Sequence, residues 1–335
     1  KRFLMLERWK EVLESKRPGA VFAKAVVISI TFFLVPWQLI SRAGFPDYVN
    51  YVRDFSGLDI QQSVTYILTL QPLQFLTNEP LWYLVTTFLT DTTGSAEVVF
   101  TLYRLTIIFL WAVILVRRLP LVASVAFIFN TQSLDIALSG IRIGLSWAVL
   151  FFFCTYRVRF LSVACMALTP LIHTTAILPL SLMVFKRFCG SMQITRYSPY
   201  LFAVLPGIFL GLCLTVFNDL VIGAIGDRRV GDSYLRGNGN LTEPIIWLVV
   251  LLTYLRYSRR GRIWEHIVPT NLVVIAIFLG PYISWADRIW AAAIPAAGIM
   301  LWSLRPVYRR EILLFCLLYS VSSYIYWTNL ITFIM

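Results

Sequence analysis

Four side chains that can carry positive charge interrupt stretches that are otherwise apolar: Arg104, Arg142, His173 and Arg288. Arg142 is the most informative. It lies in Ile136-Ala137-Leu138-Ser139-Gly140-Ile141-Arg142-Ile143-Gly144-Leu145-Ser146-Trp147, a run that reads as a lipid-spanning helix. A guanidinium keeps its proton, so at membrane depth it needs water or a partner, at a cost of roughly 3 kcal/mol or more near the helix centre. Several cations at that depth point to an anionic ligand. Arginine suits diphosphate, because its planar fork meets phosphate oxygens in pairs and stays charged at any working pH. Two or three arginines at headgroup level would hold a lipid diphosphate while its tail stays in the bilayer. His173 can take a proton from an attacking hydroxyl or touch a leaving phosphate. Arg42, Asp47, Tyr48 and Tyr51 follow the first apolar run, Glu79 precedes Pro80, and Arg228, Arg229 and Tyr234 lie in a later polar stretch.

Each of these residues also has a plainer use. Arg142 can form a salt bridge with Asp135 or Glu79, and Gly140 and Gly144 beside it leave room for a ligand or another helix. Arg104 can reach up to the interface, and Arg288 can pair with Asp287 as an interface anchor. His173 can bond backbone freed by a helix break. Glu79 can cap a helix or support an arginine. Arg228 and Arg229 can be solvated loop charges, and His266, beside Trp264 and Glu265, an interfacial residue. No phosphate-binding glycine loop, zinc motif or nucleophile elbow is present, and no spacing supports a metal site or a cofactor.

The elements that must position these groups are helices. Hydrophobic residues make up 59% of the 335 and charged residues 14%. Apolar runs near the ~20 residues needed to span a bilayer recur along the whole chain. The alternation of a β-barrel is absent. The expected fold is therefore an all-α polytopic integral membrane protein, with about nine full transmembrane helices, partial or re-entrant helices, and one large periplasmic loop. Residues 1–335 read as a single transmembrane domain. Residues 1–19 form a cytoplasmic basic segment, 41–97 a periplasmic segment with a short Glu-Pro helix over Leu81 to Thr90, and 218–243 the large loop. The first apolar run, from near Val21, continues as a full span rather than a cleavable signal. Ile136 to Tyr156 reads as one inward span. Phe160 to Phe185, interrupted by Pro170, His173 and Pro179, reads as a broken re-entrant hairpin with His173 near its tip, or as a single tilted span.

A net charge of +12 invites a nucleic-acid reading, but 21 of the 29 Lys and Arg fall in short clusters between spans. That is the positive-inside pattern, which puts the N-terminus in the cytoplasm. The 11 Trp and 16 Tyr suit interfacial belts, and the five cysteines, scattered singly, read as packing residues.

Taken in order, Arg42 with Asp47-Tyr48-Val49-Asn50-Tyr51, Glu79-Pro80-Leu81, Arg142 and His173 resemble the EpsG-like branch of Wzy-type polysaccharide polymerases, over about Val21 to Phe185. Two departures are Ile143, where many relatives have Gln, and Thr174, where many have Pro or Ser. The resemblance implies a metal-independent glycosyltransferase of the bacterial inner membrane with its active site facing the periplasm. It would move a growing glycan from undecaprenyl diphosphate to the non-reducing end of a new lipid-linked repeat unit. Its partners would be the undecaprenyl-diphosphate-linked oligosaccharide, membrane lipids, a chain-length regulator and a flippase, with no nucleic acid. Arg142 and Arg288 would hold the diphosphate, and His173 would activate the acceptor or contact the leaving group. Asp47, Tyr48, Tyr51 and Glu79 would shape the sugar site, with Arg42, Arg104, Arg228, Arg229 and Tyr234 as further substrate contacts. A lipid-linked glycan ligase and a flippase or transporter of lipid-linked oligosaccharide are the alternatives.

Overall fold

The computed structural model describes residues 18–37, 45–71, 74–75, 78–156, 159–191, 198–216, 242–282 and 286–332. Arg42, Arg228, Arg229, Tyr234, most of the 218–243 loop and nearly all of the basic N-terminal segment lie outside them. Every regular element among the described residues is helical, in agreement with the all-α expectation. The first half holds α1 (Pro18–Leu34), α2 (Pro46–Phe55), α3 (Ile60–Thr69), α4 (Pro80–Thr93), α5 (Ala96–Arg118), α6 (Leu121–Ile128), α7 (Thr131–Leu138) and α8 (Ile141–Tyr156). Then come α9 (Arg159–Ile172), a 3-10 turn (Thr174–Ala176), α10 (Ile177–Ser191), α11 (Pro199–Val216), α12 (Thr242–Tyr257), α13 (Arg260–Glu265), α14 (Ile267–Leu279), α15 (Ala286–Trp302) and α16 (Pro306–Thr332).

Local sequence explains many of the ends. Ser95 caps α5 by accepting from the Val98 amide, Glu97 sits in its first turn, and Arg117 and Arg118 end it, so its charges follow the helix dipole. Pro46 and Pro80 open α2 and α4, where a missing N–H costs nothing. The Glu-Pro helix runs to Thr93, a turn beyond the predicted end, and stops at Gly94 in the left-handed conformation.

The expected single span over Ile136 to Tyr156 is instead two helices. The amides of Ser139 and Gly140 both fold back onto the Asp135 carbonyl (2.7 and 3.1 Å), which ends α7 and lets α8 restart at Ile141. Arg142 therefore occupies the first turn of a helix, not the outer part of an unbroken one. The room beside it goes to protein: a Cβ on Gly144 would lie 2.8 Å from Ile136 Cγ2 and 3.1 Å from Ile107 Cδ1. The chain also breaks at His173, between α9 and α10, close to the position marked by Pro170.

Two helices organise the packing. α5 contacts α1, α2, α4, α6, α7, α8 and α15, while α14 contacts α10, α11, α12, α13 and α15. α5 is the one described helix long and apolar enough by itself to cross a membrane. The bent pair α6 and α7, 60° apart, qualifies as a second if it is taken as one broken span. The shorter apolar helices run to 10–17 residues, so about nine spans do not follow from helix length and apolarity. Rows of apolar side chains are nonetheless exposed, and several polar side chains are buried. Leu201, Leu205, Phe209 and Leu212 on α11 are exposed at helical spacing, as are Leu314, Leu318 and Val321 on α16, whereas Thr86, Thr87, Ser146, Thr270 and Asn271 are fully buried.

One buried amide shows how the second hub holds a broken ladder together. Pro206 lies inside α11 and has no N–H, so the Phe202 carbonyl one turn earlier loses its helical donor. Asn271 of α14 replaces it, donating through Nδ2 to Phe202 O at 3.0 Å and accepting the Gly207 amide at Oδ1 at 2.6 Å. Gly207 must be glycine, since a Cβ there would meet the Asn271 carbonyl and Val274 at 2.8 Å. Replacing Asn271 by Leu orphans both backbone groups and is expected to cost about 2–4 kcal/mol of stability. Adding Pro206→Ala, which restores the helical donor, should recover at least ~1 kcal/mol in a double-mutant cycle read by detergent unfolding. Strict additivity of the two changes would show that Asn271 does not serve the proline break.

Candidate active site

The site begins with Glu79. Among the described residues it is the only non-glycine residue with positive φ, at 56°. A left-handed Glu is strained by about 1–3 kcal/mol, so the surroundings must hold it there. Its side chain does not cap α4. It turns inward, is 1% exposed, and pairs through Oε2 with Nη1 of Arg142. Its other oxygen lies 3.6 Å from His173 Nε2. Of the two salt-bridge partners open to Arg142, the fold thus selects Glu79 and not Asp135.

Arg142 is held on a second side. Its Nε donates to the Tyr51 hydroxyl at 3.0 Å, and its guanidinium carbon lies 5.1 Å from the Tyr51 ring centroid. Tyr51 stacks on Phe100 and meets Trp82 edge-on, at 5.7 and 5.8 Å. Burial, opposed by the Arg142 charge, pushes the Tyr51 hydroxyl above its ordinary pKa, so it stays a neutral phenol. His173 is oriented from behind. The Thr175 amide donates to Nδ1 at 3.2 Å, and Trp147 donates to the Thr175 hydroxyl, which itself lies 2.8 Å from Nδ1. Accepting at Nδ1 puts the proton of the neutral ring on Nε2, facing Glu79. His173 is therefore a positioning partner of the Glu79 carboxylate in this arrangement.

Beside this buried cluster opens a cavity of about 180 Å³. Arg142 and Arg288 line it together with Asp47, Asn50, Tyr51 and Asp54, and Phe55, Trp82 and Tyr83 form an aromatic wall. Arg288 Nη2 pairs with Asp47 Oδ2 at 2.8 Å, while Asp287 accepts the Arg288 amide at 2.7 Å. The two ion pairs differ in burial: the side chains are 17% and 2% exposed for Arg142–Glu79, and 38% and 22% for Arg288–Asp47. The first is locked, and the second is open to exchange. Asp135, Asp287 and Asp47 share one electrostatic environment with Arg288.

Both arginines break a local rule. Arg142 sits in the first turn of α8 and Arg288 in the first turn of α15. A helix N-terminus already carries about half a positive charge, so a cation there is disfavoured and an anion favoured. Two arginines from the first turns of two helices line one hollow, each paired with a carboxylate, Glu79 or Asp47.

Arg104 and Tyr48 do not join this cavity. Arg104 lies over the Tyr48 ring at 3.6 Å and donates from Nη2 to the Leu138 carbonyl, the group left free where α7 ends (2.8 Å). It lines a separate hollow with Phe32, Trp37 and Phe45. Asn50, Asp54, Trp82 and Tyr83 were not singled out in the sequence, although Asn50 lies inside the quoted Asp47–Tyr51 run and Trp82 follows Glu79-Pro80 by two residues. Among the described residues no group of His, Cys, Asp and Glu is arranged to hold a metal ion. No family model, curated protein or solved structure matches the chain.

Removing Glu79 strands a buried guanidinium. Glu79→Ala is expected to destabilise the protein by about 3–5 kcal/mol, and Glu79→Ala with Arg142→Met to recover most of that loss. Unfolding midpoints of the purified protein measure both. A double variant no more stable than the single one would show that the carboxylate does more than neutralise Arg142.

Proposed function

We propose that this chain is a polytopic membrane glycosyltransferase of the polysaccharide-polymerase type. It transfers a glycan from a polyprenyl diphosphate to the hydroxyl of a second lipid-linked repeat unit on the outer side of the bacterial inner membrane. The observation that carries this reading is the cavity in which Arg142 and Arg288, each at a helix N-terminus, stand over carboxylates and an aromatic wall. Aromatic faces and short polar side chains suit sugar rings, and the arginines suit diphosphate. The membrane setting, with about nine spans, is supported by the exposed apolar rows and by the charge distribution. Arg117 and Arg118 end α5 and Arg305 follows α15, whereas the cavity lies at the opposite ends of α5, α8 and α15.

In this reaction the acceptor hydroxyl oxygen attacks the anomeric carbon as the bond from that carbon to the diphosphate oxygen breaks. The electron pair leaves with the diphosphate. Arg142, fixed by Glu79 and Tyr51, receives the charge without moving, which is where preorganised electrostatics contribute most. The diphosphate displaces Asp47 from Arg288. Asp47, freed inside the same cavity, accepts the hydroxyl proton. His173 acts one step back by holding Glu79.

Purified protein in vesicles with a lipid-linked repeat unit should yield glycan ladders and one released polyprenyl diphosphate per linkage. Asp47→Asn should lower turnover by about 10²-fold or more with little change in unfolding midpoint. Arg142→Lys should shorten the ladder, because an ammonium does not reproduce the fork. Transbilayer movement of substrate with no diphosphate released would replace this reading with transport. Delivery of the glycan to an acceptor other than a lipid-linked repeat unit would replace it with a ligase.

A further inference from the structure

At the far end of the bundle from the candidate active site, two chain reversals lie side by side. One joins α12 to α13 through Ser258 and Arg259, and the other joins α15 to α16 through Ser303, Leu304 and Arg305. Stacking of Tyr257 on Tyr308, with centroids 4.0 Å apart, ties them together. Between them is a cavity of about 180 Å³ bordered by Arg259, Arg262, Arg305 and Arg309.

Two features set this pocket apart from an ordinary cluster of inner-face charges. The first is geometry. Arg309 is pinned at the pocket, its Nε donating to the Leu304 carbonyl at 2.7 Å and its guanidinium lying 4.9 Å from the Trp302 ring centroid. Burial and the neighbouring Arg262 charge push Arg309 below its ordinary pKa, as expected for cations crowded together. The second is imbalance. Arg262 pairs with Glu265 at 2.9 Å, but Arg259, Arg305 and Arg309 form no ion pair among the described residues. The N-terminus of α16, whose first turn holds no acidic residue, adds its dipole at Pro306 on the pocket wall. All four basic residues bordering the pocket are Arg, whose planar fork meets phosphate oxygens in pairs.

We propose that this pocket is a phosphate-binding site, separate from the active site, that takes the phosphate of an anionic phospholipid headgroup in the inner leaflet or a free phosphate from the cytoplasm. Either ligand would neutralise the uncompensated arginines and tie the α12–α13 and α15–α16 reversals together. The first turn of α15 carries Arg288, so occupancy would act on the opposite end of the same helix that serves the candidate active site.

The test uses the full-length protein in nanodiscs of phosphatidylcholine. Phosphatidylglycerol at saturating fraction should raise the Tm of the wild type by about 4 °C over phosphatidylcholine. In phosphatidylcholine discs, millimolar inorganic phosphate should give a similar rise over chloride at equal ionic strength only if the pocket takes free phosphate. The double variant Arg305→Gln with Arg309→Gln should lose the response, and Arg305→Lys with Arg309→Lys should keep less than half of it. If the double Gln variant does not fold, native mass spectrometry of Arg259→Gln replaces it, with an expected loss of at least threefold in retained phosphatidylglycerol or phosphate. The proposal is overturned if neither ligand stabilises the wild type. It is equally overturned if the Gln variants respond or retain ligand as the wild type does. Because the readout is binding and not turnover, its outcome is independent of whether the chain transfers glycans.

Discussion

A single buried carboxylate, that of Glu79, ties together side chains from parts of the chain that lie far apart in sequence. It pairs with Arg142 on α8 and faces His173 at the α9–α10 break, while Arg142 in turn holds Tyr51 on α2. In a low-dielectric interior each of these groups alone would carry a desolvation penalty of several kcal/mol. Together they form one network in which removal of a member exposes the others, and that is why a Glu can persist in a left-handed backbone conformation. The strain and the ion pair share one residue, which fixes the start of α4 and the aromatic wall that follows it, Trp82 and Tyr83.

The same cluster separates a rigid cation from an exchangeable one. Arg142 has two of its three nitrogens engaged and lies deep, whereas Arg288 and Asp47 stand nearer the opening of the cavity. Under the proposed function, the fixed charge would supply preorganised stabilisation for an anion, and the more open pair would exchange its carboxylate for that anion. Placing both arginines at helix N-termini costs local stability, which is the kind of conflict that functional sites tolerate and ordinary packing does not.

Elsewhere the molecule repairs gaps in its own helical ladders. The hydrogen-bond ladder lapses at Pro206 inside α11, the chain leaves the helix at Ser139-Gly140, and each gap is repaired by a neighbour: Asn271 supplies the donor for Phe202, and Arg104 the donor for Leu138. A carbonyl freed inside the packed bundle has no water to bond, so these side chains take the place of the missing helical donor. The arginines at the far end of the bundle differ in kind. Apart from the bond from Arg309 to Leu304, they repair no break among the described residues, and they border a hollow instead.

The sequence by itself determined what depends on near neighbours. The helical class follows from the long apolar runs, the start of α4 from Glu79-Pro80, and the interruption near His173 from Pro170. The strangeness of Arg142 was also legible, because a permanent charge in an apolar run violates partition energetics wherever the run ends up. The tertiary structure decided what depends on distant residues. It chose Glu79 over Asp135 for Arg142, across a separation of 63 residues, and Asp47 over Asp287 for the Arg288 guanidinium, although Asp287 is adjacent in the chain. It divided Ile136 to Tyr156 at Gly140, turned Glu79 away from its capping role, and drew Arg104 to the end of α7. Carboxylates of equal chemistry are interchangeable in a sequence. Only the packing of α2, α4, α8 and α15 around α5 sets which of them reaches which guanidinium.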